Sequence, residues 1–317
     1  MFLDQVCGGS MPANYPVAVF LYKRPKLVKI LLDKVIDSGA NKIYLFSDAG
    51  KTSQDKTQVS EVRLILKEYI HSYPQIRFIK HYSKKNLGLQ HSIVGGVTKV
   101  LQTEKAAIFL EDDCMPHPDF FPFVREMLDK YKNEPKIMSV TGSGVGKHSE
   151  SSYDFSKYQQ CWGWATWARA WSQFDEQMIG IDTKKWQVKS RLIWPNFIMR
   201  YYWTTMLRLT KAGQVKSWAF RWSYAHLKRG GLAALPSGNL VSNVGFDTSA
   251  TNTTTHSPLA NMTTSSISFP LKHPNKVVEN IQLSRNVEKC YYNNPIAILG
   301  MLRQLFYWKV RKHAYST

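Results

Sequence analysis

The chain has 317 residues, room for one large domain or two ordinary ones, and 44% hydrophobic and 13% aromatic residues indicate a globular protein with a substantial core. No run reaches the ~18 apolar residues needed to span a bilayer, and Cys7, Cys114, Cys161 and Cys290 lie far apart without a CxxC pair, which argues against a disulfide framework or a zinc site. A formal net charge of +19 implies an anionic partner such as nucleic acid, a membrane surface or a phosphorylated substrate, with a soluble basic surface lacking a specific anion site as the alternative.

Met1 to Cys7 lacks the basic and apolar regions of a signal peptide, so a cytoplasmic location is expected. Val17 to Leu21 reads as a buried strand, followed by Tyr22-Lys23-Arg24-Pro25. Pro25 suits the first turn of a helix, and Leu27, Ile30, Leu31 and Val35 continue with helical spacing. Lys42 to Phe46 is a second strand ending at Ser47-Asp48-Ala49-Gly50. A helix follows over Thr57 to His71, a third strand over Ile76 to Lys80, and a helix opened by Asn86-Leu87-Gly88-Leu89 and reaching Leu101. Strands alternating with helices predict a mostly parallel, doubly wound sheet.

The fourth strand carries the strongest signal. Ala106 to Leu110 is a continuous apolar run, as a strand buried on both faces requires, and it runs straight into Glu111-Asp112-Asp113. Three adjacent carboxylates repel one another, and a hard divalent cation such as Mn²⁺ or Mg²⁺ relieves that repulsion. Ligands of open α/β sheets bind at the carboxyl ends of strands. Arg24, Asp48, Asn86 and the acid triplet all follow strands, so a strand-end site for a metal and a diphosphate is expected; a solvated acidic turn is the alternative.

A helix is expected over Asp119 to Tyr131, then a strand over Ile137 to Gly142 with a glycine-rich exit that lacks the GK[ST] ending of a phosphate-binding P-loop. Cys161 to Trp171 holds four tryptophans, of which Trp164, Trp167 and Trp171 are spaced as one face of a helix. That stripe faces a core or walls an acceptor cleft, with Trp162, Trp164, Trp218 and Trp222 as the candidate cleft residues. A helix from Ser217 to Lys228 stops at Gly230-Gly231. Leu240 to Asp247 reads as a strand and turn, and residues 248–268, rich in Ser, Thr and Asn, as a loop. Asn294 to Lys312 combines Ile296, Leu299, Leu302, Leu305 and Phe306 with basic residues, which suits a helix lying in a membrane interface or one docked on the protein.

Taken together, Phe109-Leu110-Glu111-Asp112-Asp113, Pro118-Asp119-Phe120-Phe121, Asn86-Leu87-Gly88-Leu89, Trp162 to Trp167, Ser217 to Trp222 and Ser242 to Asp247 resemble the nucleotide-sugar transferases of GT-A fold. The likeness is to the bacterial family-2-like group, distantly related to the Golgi N-acetylglucosaminyltransferase, and it spans about residues 15 to 257. It implies an α/β GT-A domain over 1–270, with a nucleotide-binding half at about 15–115 and an acceptor half, an α/β extension, at about 135–257, and a basic tail over 271–317. It implies a nucleotide-diphosphate-sugar donor, Mn²⁺ or Mg²⁺, and a glycan or lipid-linked acceptor, with peripheral contact at the inner face of a membrane. Arg24, Asp48 and His91 would hold the nucleotide, Glu111 and Asp112 the donor, and Asp113 and His256 the metal. Arg221 would assist at the leaving phosphate or the acceptor. Many relatives carry an acid directly after the tryptophan of the Trp218 motif; Ala219 stands there in this chain, so Asp247 becomes the candidate base of an inverting reaction.

Three rivals remain. A sugar nucleotidyltransferase would want a glycine-rich signature near the first strand, which Tyr22-Lys23-Arg24-Pro25 lacks. A nucleic-acid-binding protein would show a recognised motif, and none is visible. A catalytically degenerate glycan-binding relative stays open because of Ala219.

Overall fold

A computed structural model describes residues 14–146, 149–245 and 261–314. The first half alternates as expected: β1 (Val17–Leu21), α1 (Pro25–Asp37), β2 (Lys42–Ser47), α2 (Ser53–Ser72), β3 (Arg77–Tyr82), α3 (Leu89–Leu101) and β4 (Ala106–Glu111). A short β5 (Cys114–Pro116) and α4 (Phe120–Lys130) lead into β6 (Ile137–Thr141), β7 (Tyr153–Ser156), β8 (Trp164–Trp167) and α5 (Ala168–Trp171). Then come α6 (Lys184–Ile193), α7 (Phe197–Lys211), α8 (Trp218–Arg229), β9 (Leu232–Pro236) and β10 (Val241–Asn243). Helix α9 (Ile281–Val287), a π-helical turn (Glu288–Tyr292) and α10 (Pro295–Ala314) complete the described chain.

Eight strands form one sheet in the order β3-β2-β1-β4-β8-β6-β9-β7, and β5 pairs with β10 in a separate ribbon. The protein is therefore α/β, with β3, β2, β1 and β4 all parallel. Antiparallel pairing enters only beyond β4, at β4–β8, β8–β6 and β9–β7.

Period-two alternation explains why this sheet is covered on both faces. Val17, Val19 and Leu21 of β1 point into a core shared with α1, α2 and α4, whereas Ala18 and Phe20 point into one shared with α3, α5 and α8. Ile108 and Phe109 of β4 divide in the same way. A strand with both faces buried must be apolar throughout, as β1 and β4 are. A third cluster joins α6 and α7 to Leu283, Val287 and Met301. Leu271 and Leu283 are buried, so the chain beyond the expected sugar-transfer domain packs into the same cores.

The tryptophan-rich segment differs from expectation. Trp164 to Trp167 is a strand paired on both sides, with β4 and β6. Trp164 faces one core and Trp167 the other, as a period of two dictates. Its residues fit the helical spacing by coincidence, and only Ala168–Trp171 is helical.

Local signals hold elsewhere. Thr52 and Asp55 form a reciprocal capping box at the start of α2. Gly230 ends α8 in the left-handed region at φ 70°, with no atom near enough to obstruct a Cβ. The cost of a side chain there is therefore conformational. Gly230→Ala is expected to lower unfolding free energy by about 1 kcal/mol in urea titration, with the denaturant slope unchanged.

Candidate functional site

The order β3-β2-β1-β4 contains a switch point. From β1 the chain moves outward through β2 to β3, then returns to place β4 on the other side of β1. The loops leaving β1 and β4 therefore diverge and leave a crevice between them, the place where open α/β sheets bind ligands. Arg24 follows β1 and Glu111-Asp112-Asp113 closes β4, so the expected residues flank that crevice.

Pro25 occupies the first turn of α1, and Arg24 at the N-cap makes no side-chain cap bond, which leaves its guanidinium for other partners. Arg24 Nη1 donates to Asp112 Oδ1 at 2.8 Å and to Asp113 Oδ2 at 2.7 Å. The backbone N–H of Tyr22 donates to Asp112 Oδ2 at 3.0 Å. Asn243 Nδ2 donates to Asp113 Oδ1 at 3.3 Å, and the Val244 N–H donates to the Asp113 carbonyl at 2.9 Å. The β5–β10 ribbon puts Asn243 there by pairing it with Cys114. Gly245 lies so close that a Cβ would sit 2.1 Å from Asp113 Oδ2. Only glycine leaves room for that carboxylate.

One guanidinium faces three carboxylates. Burial raises the Glu111 pKa, and the charges on Asp113 and Asp112 raise it further against Arg24. Burial also raises the Asp112 pKa; Arg24 opposes this and Asp113 adds to it. Burial alone would lower the Arg24 pKa, but the two aspartates outweigh it and hold the cation charged. The cluster thus retains protons at a pH where exposed carboxylates have lost them. Asp113 keeps 17% of its side-chain surface accessible and Asp112 only 8%, so Asp113 is the more accessible of the two.

Asp48 does something the sequence did not indicate. Its carboxylate accepts from the N–H groups of Ala49 (2.8 Å), Leu87 (3.0 Å) and Gly88 (3.0 Å) and from Asn86 Nδ2 (3.3 Å). It ties the end of β2 to the turn entering α3, where Gly88 has φ 76°. His91 is exposed in the first turn of α3. Beyond Asp48 lies a cleft of about 770 Å³ shared with Ala49 and Asn86 and lined by Lys51, Lys56, Arg63, Lys84 and Lys85 without an acid. Lys23, next to Arg24, pairs with Asp55 at 2.8 Å, which draws the Asp55 pKa down to about 2.

Other expected site residues stand elsewhere. Arg221 is 8% exposed and donates to the carbonyls of Glu176 (3.0 Å) and Thr210 (3.2 Å) and more weakly to Gln90 Oε1 (3.4 Å). It braces α8 against neighbouring segments, whereas a contact with the leaving phosphate or the acceptor was expected. Trp164, Trp218 and Trp222 are buried, with Trp164 and Trp218 stacked at 5.3 Å, and have no face left for an acceptor. Trp162 is half-buried with Tyr291 at 6.0 Å, and is the member of that set with accessible surface. Asp247 and His256 lie outside the described residues, in the segment that begins directly after Gly245. Tyr22, Asn86 and Asn243 complete the site; the sequence placed Asn86 and Asn243 in motifs, but their carboxylate partners become visible only in three dimensions.

A divalent ion was expected. Among the described residues no group of three or more His, Cys, Asp or Glu is arranged to hold one. Asp113 nevertheless offers a partly accessible hard carboxylate, and Mg²⁺-type ions are commonly held by one or two carboxylates plus substrate phosphates.

The chain matches no protein-family profile. It matches no curated protein either. Among solved structures it is similar to a mannosyltransferase from Pyrobaculum calidifontis in complex with GDP-Man and Mn²⁺, at 9% identity over 68% of this chain and 69% of that one, with a TM-score of 0.38. It is similar to a UDP-glucose pyrophosphorylase complexed with UDP-glucose, at 9% identity over 50% and 79% of the two chains, TM-score 0.30. A putative glucose-1-phosphate thymidylyltransferase from Bacillus anthracis, in complex with a sucrose, matches at 8% identity over 50% and 74%, TM-score 0.33. Likenesses this distant carry no argument about chemistry, and the site geometry has to supply it.

The carboxylate cluster makes a prediction about stability. Glu111 binds its proton more tightly folded than unfolded. Folding therefore takes up a proton, and stability falls as pH rises from the unfolded carboxylate range, about pH 4.3, through the raised folded value. Among the described residues no hydrogen bond to the Glu111 side chain would be lost on substitution. Glu111→Gln is expected to raise the thermal midpoint at pH 8 by at least about 2 °C and to leave it unchanged at pH 4. An equal shift at both values would show that the charge is not the cause.

Proposed function

We propose that this protein is a glycosyltransferase of GT-A type that uses a nucleotide-diphosphate-sugar donor and a divalent metal. The observation that carries the reading is the convergence of Arg24, Asp112 and Asp113 at the β1/β4 switch point, where the carboxylates outnumber the one guanidinium and a cation can replace the protons that they otherwise retain. Phosphate alone would be repelled by three carboxylates. A metal–diphosphate complex, in contrast, brings its own positive charge to them.

In this reading Asp113 ligates the ion and Asp112, fixed by the Tyr22 N–H, accepts from the ribose or a metal-bound water. A Mn²⁺ or Mg²⁺ ion held by Asp113 would supply positive charge against that developing on the departing nucleoside diphosphate. Arg24 holds the two aspartates in place until the donor arrives, then faces the nucleotide. Asp48 and Asn86 shape the turn against which the base rests, and His91 lies on the same rim. Glu111 lies buried behind the aspartates and, holding its proton more tightly than an exposed carboxylate, leaves Asp112 and Asp113 to face the cation. Asp247, two residues after Gly245 in sequence, is the candidate for the base that takes the acceptor hydroxyl proton. The acceptor is a glycan or a lipid-linked glycan, and the product a surface polysaccharide or glycoconjugate.

The test is a thermal-shift panel of UDP-, GDP-, dTDP- and CMP-sugars with Mn²⁺ and with EDTA. A ligand that binds only the folded state raises the midpoint by mass action. One nucleotide family should give a metal-dependent shift, and incubation with that donor should release the nucleoside diphosphate. Asp113→Ala should lose more than about tenfold in donor affinity with Mn²⁺ and change little in EDTA. A donor affinity unaffected by the substitution would remove Asp113 from the metal site. Pyrophosphate release from a nucleoside triphosphate and a sugar phosphate would reassign the protein as a nucleotidyltransferase.

A further inference from the structure

Helix α10 has two apolar faces. Ala297, Met301 and Leu305, spaced by four, pack into the core shared with α6 and α7. Leu299, Leu302, Phe306 and Val310 follow at i, i+3, i+7 and i+11, a second stripe on the opposite side of the same helix. These four are 65%, 45%, 64% and 50% exposed. The first stripe accounts for the docking of the helix; the second is left in solvent. Helix α7 packs against both α10 and α6, and those neighbours add Phe197, Ile198 and Leu192 to the exposed apolar surface.

Charge says what covers this face. Helices α6, α7 and α10 together contain eleven Lys and Arg and no Asp or Glu, in a chain that elsewhere carries 23 acids. Lys184, Lys185, Arg191, Arg208 and Arg303 form no ion pair among the described residues. Two copies of so cationic a face would repel each other. A nucleic acid would meet the cations but leave the aliphatic stripe uncovered. An anionic lipid surface meets both requirements: headgroups take the cations, and the acyl boundary takes Leu299, Leu302 and Phe306.

We propose that α6, α7 and α10 form a docking face for an anionic membrane surface, with the outer stripe of α10 entering the headgroup–acyl boundary. No helix among the described residues is long and apolar enough to cross a membrane, so the contact is interfacial. It is independent of the donor site and is measured without any nucleotide sugar.

The experiment is co-sedimentation of the whole protein with vesicles of phosphatidylcholine alone and of phosphatidylcholine with phosphatidylglycerol. Binding is expected to the second kind and to weaken as salt is raised. The double variant Leu299→Ser/Phe306→Ser alters only exposed side chains. It should keep the parental thermal midpoint and partition at least about tenfold more weakly. Should that variant fail to fold, Lys184→Glu/Lys185→Glu in the exposed first turn of α6 reads the charge component by the same assay, with a loss again expected. Equal partitioning to both vesicle types, or wild-type partitioning by a folded variant, overturns the proposal. A wild-type dimer that becomes monomeric in the Leu299/Phe306 variant assigns the face to a second copy and overturns it as well.

Discussion

The site is governed by the repulsion among three carboxylates at the end of a strand buried on both faces. Water cannot screen charges there as it does at a surface, so each added charge raises the proton affinity of the others. Arg24 offsets part of this by placing one nitrogen between Asp112 and Asp113. The remainder stays in the folded state as a demand for a further cation or for protons. Such an imbalance lowers the stability of the folded state until a proton or a cation offsets it.

The surrounding structure exists to hold those groups in register. Parallel pairing of β1 with β4 brings Arg24 and the aspartates to one edge, and the β5–β10 ribbon returns Asn243 and Gly245 to the same place. Tyr22 joins the two halves of the rim: its N–H meets Asp112 and its hydroxyl donates to Asp55 at 3.2 Å. The tryptophans supply rigidity beneath. Trp164, Trp171, Trp218 and Trp222 contact one another in the core shared by α3, α5 and α8, which fixes the helices that stand behind the sheet. Residues that looked like an acceptor wall in sequence act as its foundation.

The second half of the chain follows a different logic. Its helices α6, α7 and α10 enclose an aromatic core on the inside and carry cations with exposed apolar residues on the outside. Net charge alone suggested an anionic partner and could not separate a diphosphate from a lipid surface. In the fold the acidic crevice at the β1/β4 switch point and the cation-rich apolar surface belong to different elements, β1 and β4 for the first and α6, α7 and α10 for the second.

Local chemistry was sufficient where one residue type answers one physical need. Continuous apolar runs identified β1 and β4, Pro25 the start of α1, Gly230 the end of α8, and Glu111-Asp112-Asp113 the strand-end cluster. Short apolar segments were not decidable in this way, because four residues satisfy a period of two and of 3.6 alike; hence β8 resembled a helix. Whether the tail helix docks on the protein was open for a related reason, since composition does not say which of two stripes the protein buries. Pairings between distant segments were beyond reach altogether. Arg24 with Asp113, Asp48 with the 86–88 turn, and Asn243 with Asp113 depend on strand order, which is set by the total burial of both sheet faces and by no local signal. The sequence by itself determined the kind of chemistry available at the strand ends; tertiary structure decided which charges meet, which tryptophans are sealed away, and which face of α10 remains in water.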